Sequence, residues 1–229
     1  MTPIQSFTDL ISPSQTEPPQ VIFCDAMGTL FGLRDSVGKI YAQIAQDFDV
    51  WVEESALNQA FYTTFKKAPP LAFAQPDAIQ LAALEYEWWK TLVAESFDQI
   101  NALKKFSDFE EFFRVLYDYF ATKKPWFVYP DVIDTLQFWQ KQKIPLGIIS
   151  NFDSRLYTVL TQLQLKDFFS TITISSRYKI AKPDIQIFQS ALQYYDCSPQ
   201  QAWHIGDSLK EDYEGAIAAG LQAFLIERC

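Results

Sequence analysis

Two hydrophobic rhythms divide the chain. Residues Val21–Asp25 form an unbroken apolar run closed by an acid, the pattern of a strand covered on both faces. From about Val37 to Thr122 the period becomes helical. Ile40, Ile44 and Phe48 recur at i, i+4, as do Leu57, Phe61 and Phe65, and Phe109, Phe113 and Tyr117. Pro69-Pro70 splits this stretch into separate helices, and Asp77 is placed to cap the helix carrying Trp88-Trp89. After Pro125 the rhythm alternates. The pattern predicts helices over Asp131–Lys141, Ser154–Leu163, Pro183–Tyr195 and Asp212–Ala219, the last closed by Gly220. Between them it predicts strands over Ile144–Ile149, Thr171–Ser175, Ala202–Ile205 and Ala223–Ile226.

Strands alternating with helices imply right-handed βαβ units and a parallel sheet. The expected architecture is therefore α/β: a doubly wound parallel-sheet, Rossmann-like core with an inserted all-helical cap domain. The core is expected over residues 20–34 and 125–229, and the cap over residues 35–124. Residues 1–19 are rich in Pro, Ser, Thr and Gln and read as a loose leader.

Composition narrows the partners. Of 229 residues, 48% are hydrophobic and 16% aromatic, with 20 Phe and 6 Trp, so a ring-rich core is expected. The net charge of −9 argues against a binder of nucleic-acid backbones but suits a divalent cation. Three cysteines without metal-type spacing fit a reducing compartment, with Cys24 a small apolar residue inside a strand. The N-terminus lacks the basic-then-apolar pattern of a signal peptide, and no run approaches the ~18 apolar residues that span a bilayer. A cytoplasmic protein without membrane partners is expected; the sequence leaves the oligomeric state open.

The candidate chemistry lies at predicted strand ends. A carboxylate at the tip of a parallel strand is where open α/β sheets place their sites, so Asp25 reads as either an aspartate nucleophile or a metal ligand. Ser150-Asn151, Lys182 and Gly206-Asp207 with Asp212 converge on the same sheet edge. Two acids from different strands make a hard-oxygen site suited to Mg²⁺. A hydroxyl and a lysine beside them supply donors to phosphoryl oxygens. His204, the only histidine, lies in a predicted buried strand and reads as a structural residue. Asp153 and Arg155 are expected to pair or to cap a helix.

Taken together, these clusters resemble the haloacid dehalogenase-like hydrolase superfamily. Asp25-Ala26-Met27-Gly28-Thr29-Leu30 matches its first motif and Ile148-Ile149-Ser150-Asn151 its second. Lys182-Pro183-Asp184 matches the third, and Gly206-Asp207-Ser208 with Asp212 the fourth. The helical insert looks like the family's first-type cap. Ser150 through Leu156 and Trp88-Trp89 resemble the "rhythmically expressed gene 2"-like branch. The resemblance implies Asp25 as nucleophile and Mg²⁺ ligand, joined by the Met27 main-chain oxygen and Asp207, with Asp212 acting directly or through water. It implies Ser150 and Lys182 as catalytic groups holding the phosphoryl group. Gly28, Thr29 and Asn151 join them in binding a small phosphorylated molecule.

One residue departs from the pattern. Family phosphatases carry Asp two places after the nucleophile, where it protonates the leaving alcohol and then activates water. This chain has Met27, whose thioether does neither. Three readings follow: Mg²⁺-dependent hydrolysis of a phosphorylated small molecule, slow or restricted to good leaving groups; a phosphate- and Mg²⁺-binding protein with little turnover; or C–halogen or C–P hydrolysis. A C–P hydrolase of this family would need a cap lysine for a Schiff base, for which Lys39, Lys66 and Lys67 are available.

Overall fold

The computed structural model describes residues 3–11, 18–74 and 77–228. In chain order the strands are Val21–Cys24 (β1), Phe31–Leu33 (β2), Trp126–Val128 (β3), Leu146–Ser150 (β4), Thr171–Ile174 (β5), Ala202–Gly206 (β6) and Gln222–Leu225 (β7). The helices are Val37–Gln46 (α1), Glu54–Phe65 (α2), Ala78–Gln99 (α3), Phe109–Phe120 (α4), Val132–Lys141 (α5), Arg155–Gln162 (α6), Ser175–Tyr178 (α7), Ile185–Leu192 (α8) and Gly215–Ala218 (α9). The chain separates into two compact units: Met1–Gly32, Ala72–Gln75 and Val128–Cys229 form one, and Leu33–Leu71 and Pro76–Phe127 the other.

The first unit holds a five-stranded sheet in the order β5-β4-β1-β6-β7, and every pair is parallel. The predicted α/β core is therefore present. All four residues of β1 are fully buried, which explains its unbroken apolar run. From β1 the chain moves outward through β4 and β5, then returns to the other side of β1 for β6 and β7. That reversal places the end of β1 at a topological switch point, where such sheets bind ligands.

The leader needs correction. Residues 12–17 lie outside the described residues, but residues 3–11 are not loose. Ile4 pairs in parallel with Ile226, adding to the sheet beyond β7. Ser6 and Asp9 form a capping box on a 3-10 turn over Phe7–Leu10, whose Phe7 is wholly buried against Trp139. The Pro- and Ser-rich composition concealed this anchor.

The second unit is all-helical apart from its share of the β2–β3 ribbon, two three-residue strands that the periodicity did not predict. Its core is the expected ring-rich one. Phe112 stacks on Phe106 at 4.4 Å and meets Phe97 edge-on at 5.3 Å, while Tyr86 meets Phe113 at 4.7 Å. Such pairs contribute about 0.5–1.5 kcal/mol each beyond the area they bury. Asp77 caps α3 as predicted, its carboxylate accepting from the N–H groups of Ile79 and Gln80. Trp88 and Trp89 pack against this core.

Candidate active site

Parallel register brings the motifs to one edge. Cys24 is level with Ile148 of β4 and Ile205 of β6, so Asp25, Ser150 and Asp207 all emerge where those strands end. The Asp25 N–H donates to the Ile205 carbonyl at 2.8 Å, holding the residue to the sheet just as the chain leaves it. The chain then turns sharply. Gly28 has φ +89°, a conformation that side-chain-bearing residues rarely adopt, and a Cβ there would overlap the Asp207 carboxylate.

Lys182 is the centre of the charge network. Its ammonium donates to Asp25 Oδ1 at 2.6 Å and to Asp212 Oδ1, and the lysine is 3% exposed. Asn151 fixes the lysine's main chain, accepting from Lys182 N at 2.8 Å and donating to the Lys182 carbonyl at 3.0 Å. The same Asn151 amide also donates to Glu211. The expected substrate-binding Asn151 therefore has its side chain committed to supporting Lys182. Ser150 is buried at the end of β4.

Asp212 receives three bonds: the Lys182 ammonium and His204 Nε2, at 2.9 Å, on Oδ1, and Ser208 N at 3.0 Å on Oδ2. Burial and the nearby Lys182 charge hold His204 below its usual pKa despite Asp212, so it is neutral and donates from Nε2. Sequence reasoning gave His204 only a structural part; in the fold it aims Asp212. The π-helical turn over Leu209–Glu214, in place of the start of the predicted helix, carries Asp212 to this position. Ser208 of the fourth motif and Glu211, which did not stand out in the sequence, complete the support, with Glu211 N donating to Ser208 Oγ.

Electrostatically, carboxylates outnumber cationic groups at the site. Carboxylate oxygens of Asp25, Asp207 and Asp212 lie within 4.8 Å of one another, faced by one ammonium. Burial drives the Asp25 pKa up to about 6 against the pull of Lys182, with Asp212 and Asp207 adding to the rise. Asp207 is exposed as a residue, yet its carboxyl lies against Gly28 and accepts from Thr29 Oγ1 at 3.1 Å. Desolvation there, with Asp212 nearby, raises its pKa as well. Burial would also raise Asp212, but Lys182 and His204 outweigh it and hold that carboxyl low. Three hard oxygens with a residual negative charge fit a divalent cation such as Mg²⁺. A cavity of about 340 Å³, bordered by Gly28, Asp207 and Tyr129, opens on the Asp207 side.

Other predicted residues take simpler places. Met27 is 45% exposed and presents no acid. Arg155 forms a two-point pair with Asp153, at 2.9 and 2.6 Å, as expected. Lys39 is bonded to Asp35, which raises its pKa, opposite to what Schiff-base chemistry requires. Cys24 is buried in β1, where desolvation raises its pKa; Cys229 lies outside the described residues. No described helix is long and apolar enough to cross a membrane.

The chain is 33% identical over 202 residues to haloacid dehalogenase-like hydrolase domain-containing protein 3 of Bos taurus, covering 88% of this chain and 79% of the relative. It is 27% identical to the rhythmically expressed gene 2 protein of Drosophila melanogaster, covering 90% and 82% of the two chains. Among solved folds, it superposes on the HAD phosphatase of Thermococcus onnurineus with a TM-score of 0.61 at 21% identity, covering 90% and 86%. It superposes on the HAD-hydrolase YfnB of Bacillus subtilis, bound to magnesium, with a TM-score of 0.69 at 17% identity, covering 90% and 88%. The family model of the haloacid dehalogenase-like hydrolases matches residues 19–220, and the chain belongs to that family.

Proposed function

We propose that this protein is a Mg²⁺-dependent hydrolase of a small phosphorylated molecule, with Asp25 as nucleophile and turnover restricted by Met27. The observation that carries this reading is the Lys182 ammonium 2.6 Å from Asp25 Oδ1 within a three-carboxylate cluster. Asp25, Asp207 and the Met27 main-chain oxygen would hold the cation. Asp212 already accepts three bonds, which favours its acting through water. Bound Mg²⁺ would neutralise charge on the carboxylates and the phosphoryl oxygens.

The residues divide the reaction as follows. Asp25 Oδ attacks phosphorus, and the bond from phosphorus to the ester oxygen breaks, its electron pair leaving with that oxygen. Lys182 keeps Asp25 oriented and offsets the charge crowded around it. Ser150 donates to a phosphoryl oxygen. Water then attacks the phosphorus of the aspartyl-phosphate, releasing inorganic phosphate and restoring the carboxylate; its proton goes to solvent. An acid at position 27 would assist both steps, and losing such help costs about 10²–10⁴ in rate. Leaving groups that depart as stable anions escape the first part of that cost.

A second reading rests on Met27 itself: a protein that binds Mg²⁺ and a phosphorylated ligand with little turnover. Hydrolysis of an aryl phosphate, with and without Mg²⁺, by wild type, Met27→Asp and Asp25→Asn separates the two. Turnover by wild type that rises in Met27→Asp and vanishes in Asp25→Asn supports hydrolysis. If wild type and Met27→Asp are both inactive while Asp25→Asn still binds phosphate in a Mg²⁺-dependent way, the hydrolase reading fails. Halide release from a 2-haloacid without metal would replace both readings.

A further inference from the structure

Arg228 lies just after β7, far in sequence from all four motifs, yet its guanidinium donates twice to one main-chain oxygen of the first. Nε and Nη2 reach the Thr29 carbonyl at 3.1 and 2.6 Å. Nη1 is held by both oxygens of Asp131 at 2.8 and 2.9 Å. The guanidinium carbon lies over two rings, 4.9 Å from the Phe7 centroid and 4.4 Å from that of Tyr129. Asp131 is itself fixed by Phe7 N at 2.7 Å and Ser6 Oγ at 2.9 Å.

Thr29 is fully buried, and its other polar end donates from Oγ1 to Asp207 Oδ1 at 3.1 Å. One residue is therefore gripped at its carbonyl by a rigid cation and points its hydroxyl at a carboxylate of the candidate metal cluster. A planar guanidinium places two donors on one acceptor at a fixed angle, which lysine cannot do. With its donors engaged by Thr29 and Asp131, Arg228 supports the loop rather than reaching for substrate.

We propose that Arg228 is a positioning residue: through Thr29 it holds the Asp25–Leu30 loop and sets the orientation of Asp207 for cation binding. The cation half of this inference rests on the Mg²⁺ reading above; the loop half does not.

Two measurements test it on the full chain. In metal-free protein, Arg228→Met should speed hydrogen exchange at the Gly28 and Leu30 amides by at least about tenfold relative to β1 amides. Unchanged relative exchange overturns the clamp whether or not Mg²⁺ binds. Calorimetric titration with Mg²⁺ alone should show about tenfold weaker binding in Arg228→Met, partial recovery in Arg228→Lys, and the same loss in Thr29→Val. The double variant should lose no more than either single one, because both cut one connection. Leu160→Ala, which lowers stability by emptying a fully buried position of α6 that makes no bond to Arg228, Asp131 or Thr29, should keep wild-type affinity. Equal weakening in Leu160→Ala and Arg228→Met would reduce Arg228 to general stability and overturn the proposal. If wild type itself binds no Mg²⁺, the metal reading and the Asp207 half fail together, and the exchange result alone decides the loop half.

Discussion

The Lys182 ammonium bonds to Asp25 at 2.6 Å and to Asp212, so one buried cation serves two carboxylates from different parts of the chain. Lys182→Met would leave both acids facing each other without compensation. Removing one side of such a buried arrangement costs about 3–5 kcal/mol. Urea unfolding at pH 7 should show a loss of that order, shrinking near pH 4 where Asp25 can take up a proton. An unchanged midpoint at pH 7 would refute the pairing.

The raised pKa of Asp25 fixes a pH dependence and its sign. Its folded value of about 6 lies above its ordinary value of 3.8. Between them the folded chain holds a proton that the unfolded chain has released, so in metal-free protein this group's contribution falls as pH rises from about 4 to 6. Mg²⁺ competes with that proton. The rise in Tm on adding saturating Mg²⁺ should therefore be larger at pH 7 than at pH 5, by several degrees on the order expected for a ligand well above its Kd. Asp25→Asn should flatten the difference. Equal shifts at both pH values would count against Asp25 as a ligand.

Met27 predicts a leaving-group dependence. Wild-type kcat/KM should fall steeply as the pKa of the departing alcohol rises, because no acid meets the developing alkoxide. Met27→Asp should flatten that slope, with gains of up to about 10²–10⁴ on alkyl phosphates and smaller gains on nitrophenyl phosphate. A uniform gain across the series would mean that the new carboxylate acts on water alone.

Phe7 is a structural residue despite its position in a Pro- and Ser-rich segment. It is fully buried against Trp139, and truncating a buried aromatic costs about 3–5 kcal/mol. Phe7→Ala should lower the unfolding midpoint accordingly, whereas a change of a few tenths would return residues 3–11 to the status of a tail.

Much of this was legible in the sequence because it is local. An apolar run ending in Asp25, the Lys182-Pro183-Asp184 step and the Gly206-Asp207 turn each show within a few residues, and a parallel sheet gathers strand ends without further information. What stayed hidden depends on distant pairings. Nothing near Arg228 announces that it grips Thr29, and nothing near Asn151 shows that its amide is spent on Lys182 and Glu211. The β2–β3 ribbon is too short for an alternating pattern. The turn before α9 has polar residues that fit an ordinary helix, so its wider winding, which delivers Asp212, left no trace in the periodicity.

Strand β1, fully buried and paired on both sides, carries Asp25 at its tip. Its amides can meet solvent only when the whole sheet opens. The proposed nucleophile thus rides on a fully buried central strand, while Met27 and Gly28 hang from it on a loop. On gradual heating, Asp25 should keep its place until the sheet itself is lost, so a loss of the proposed activity before that point would originate elsewhere in the molecule.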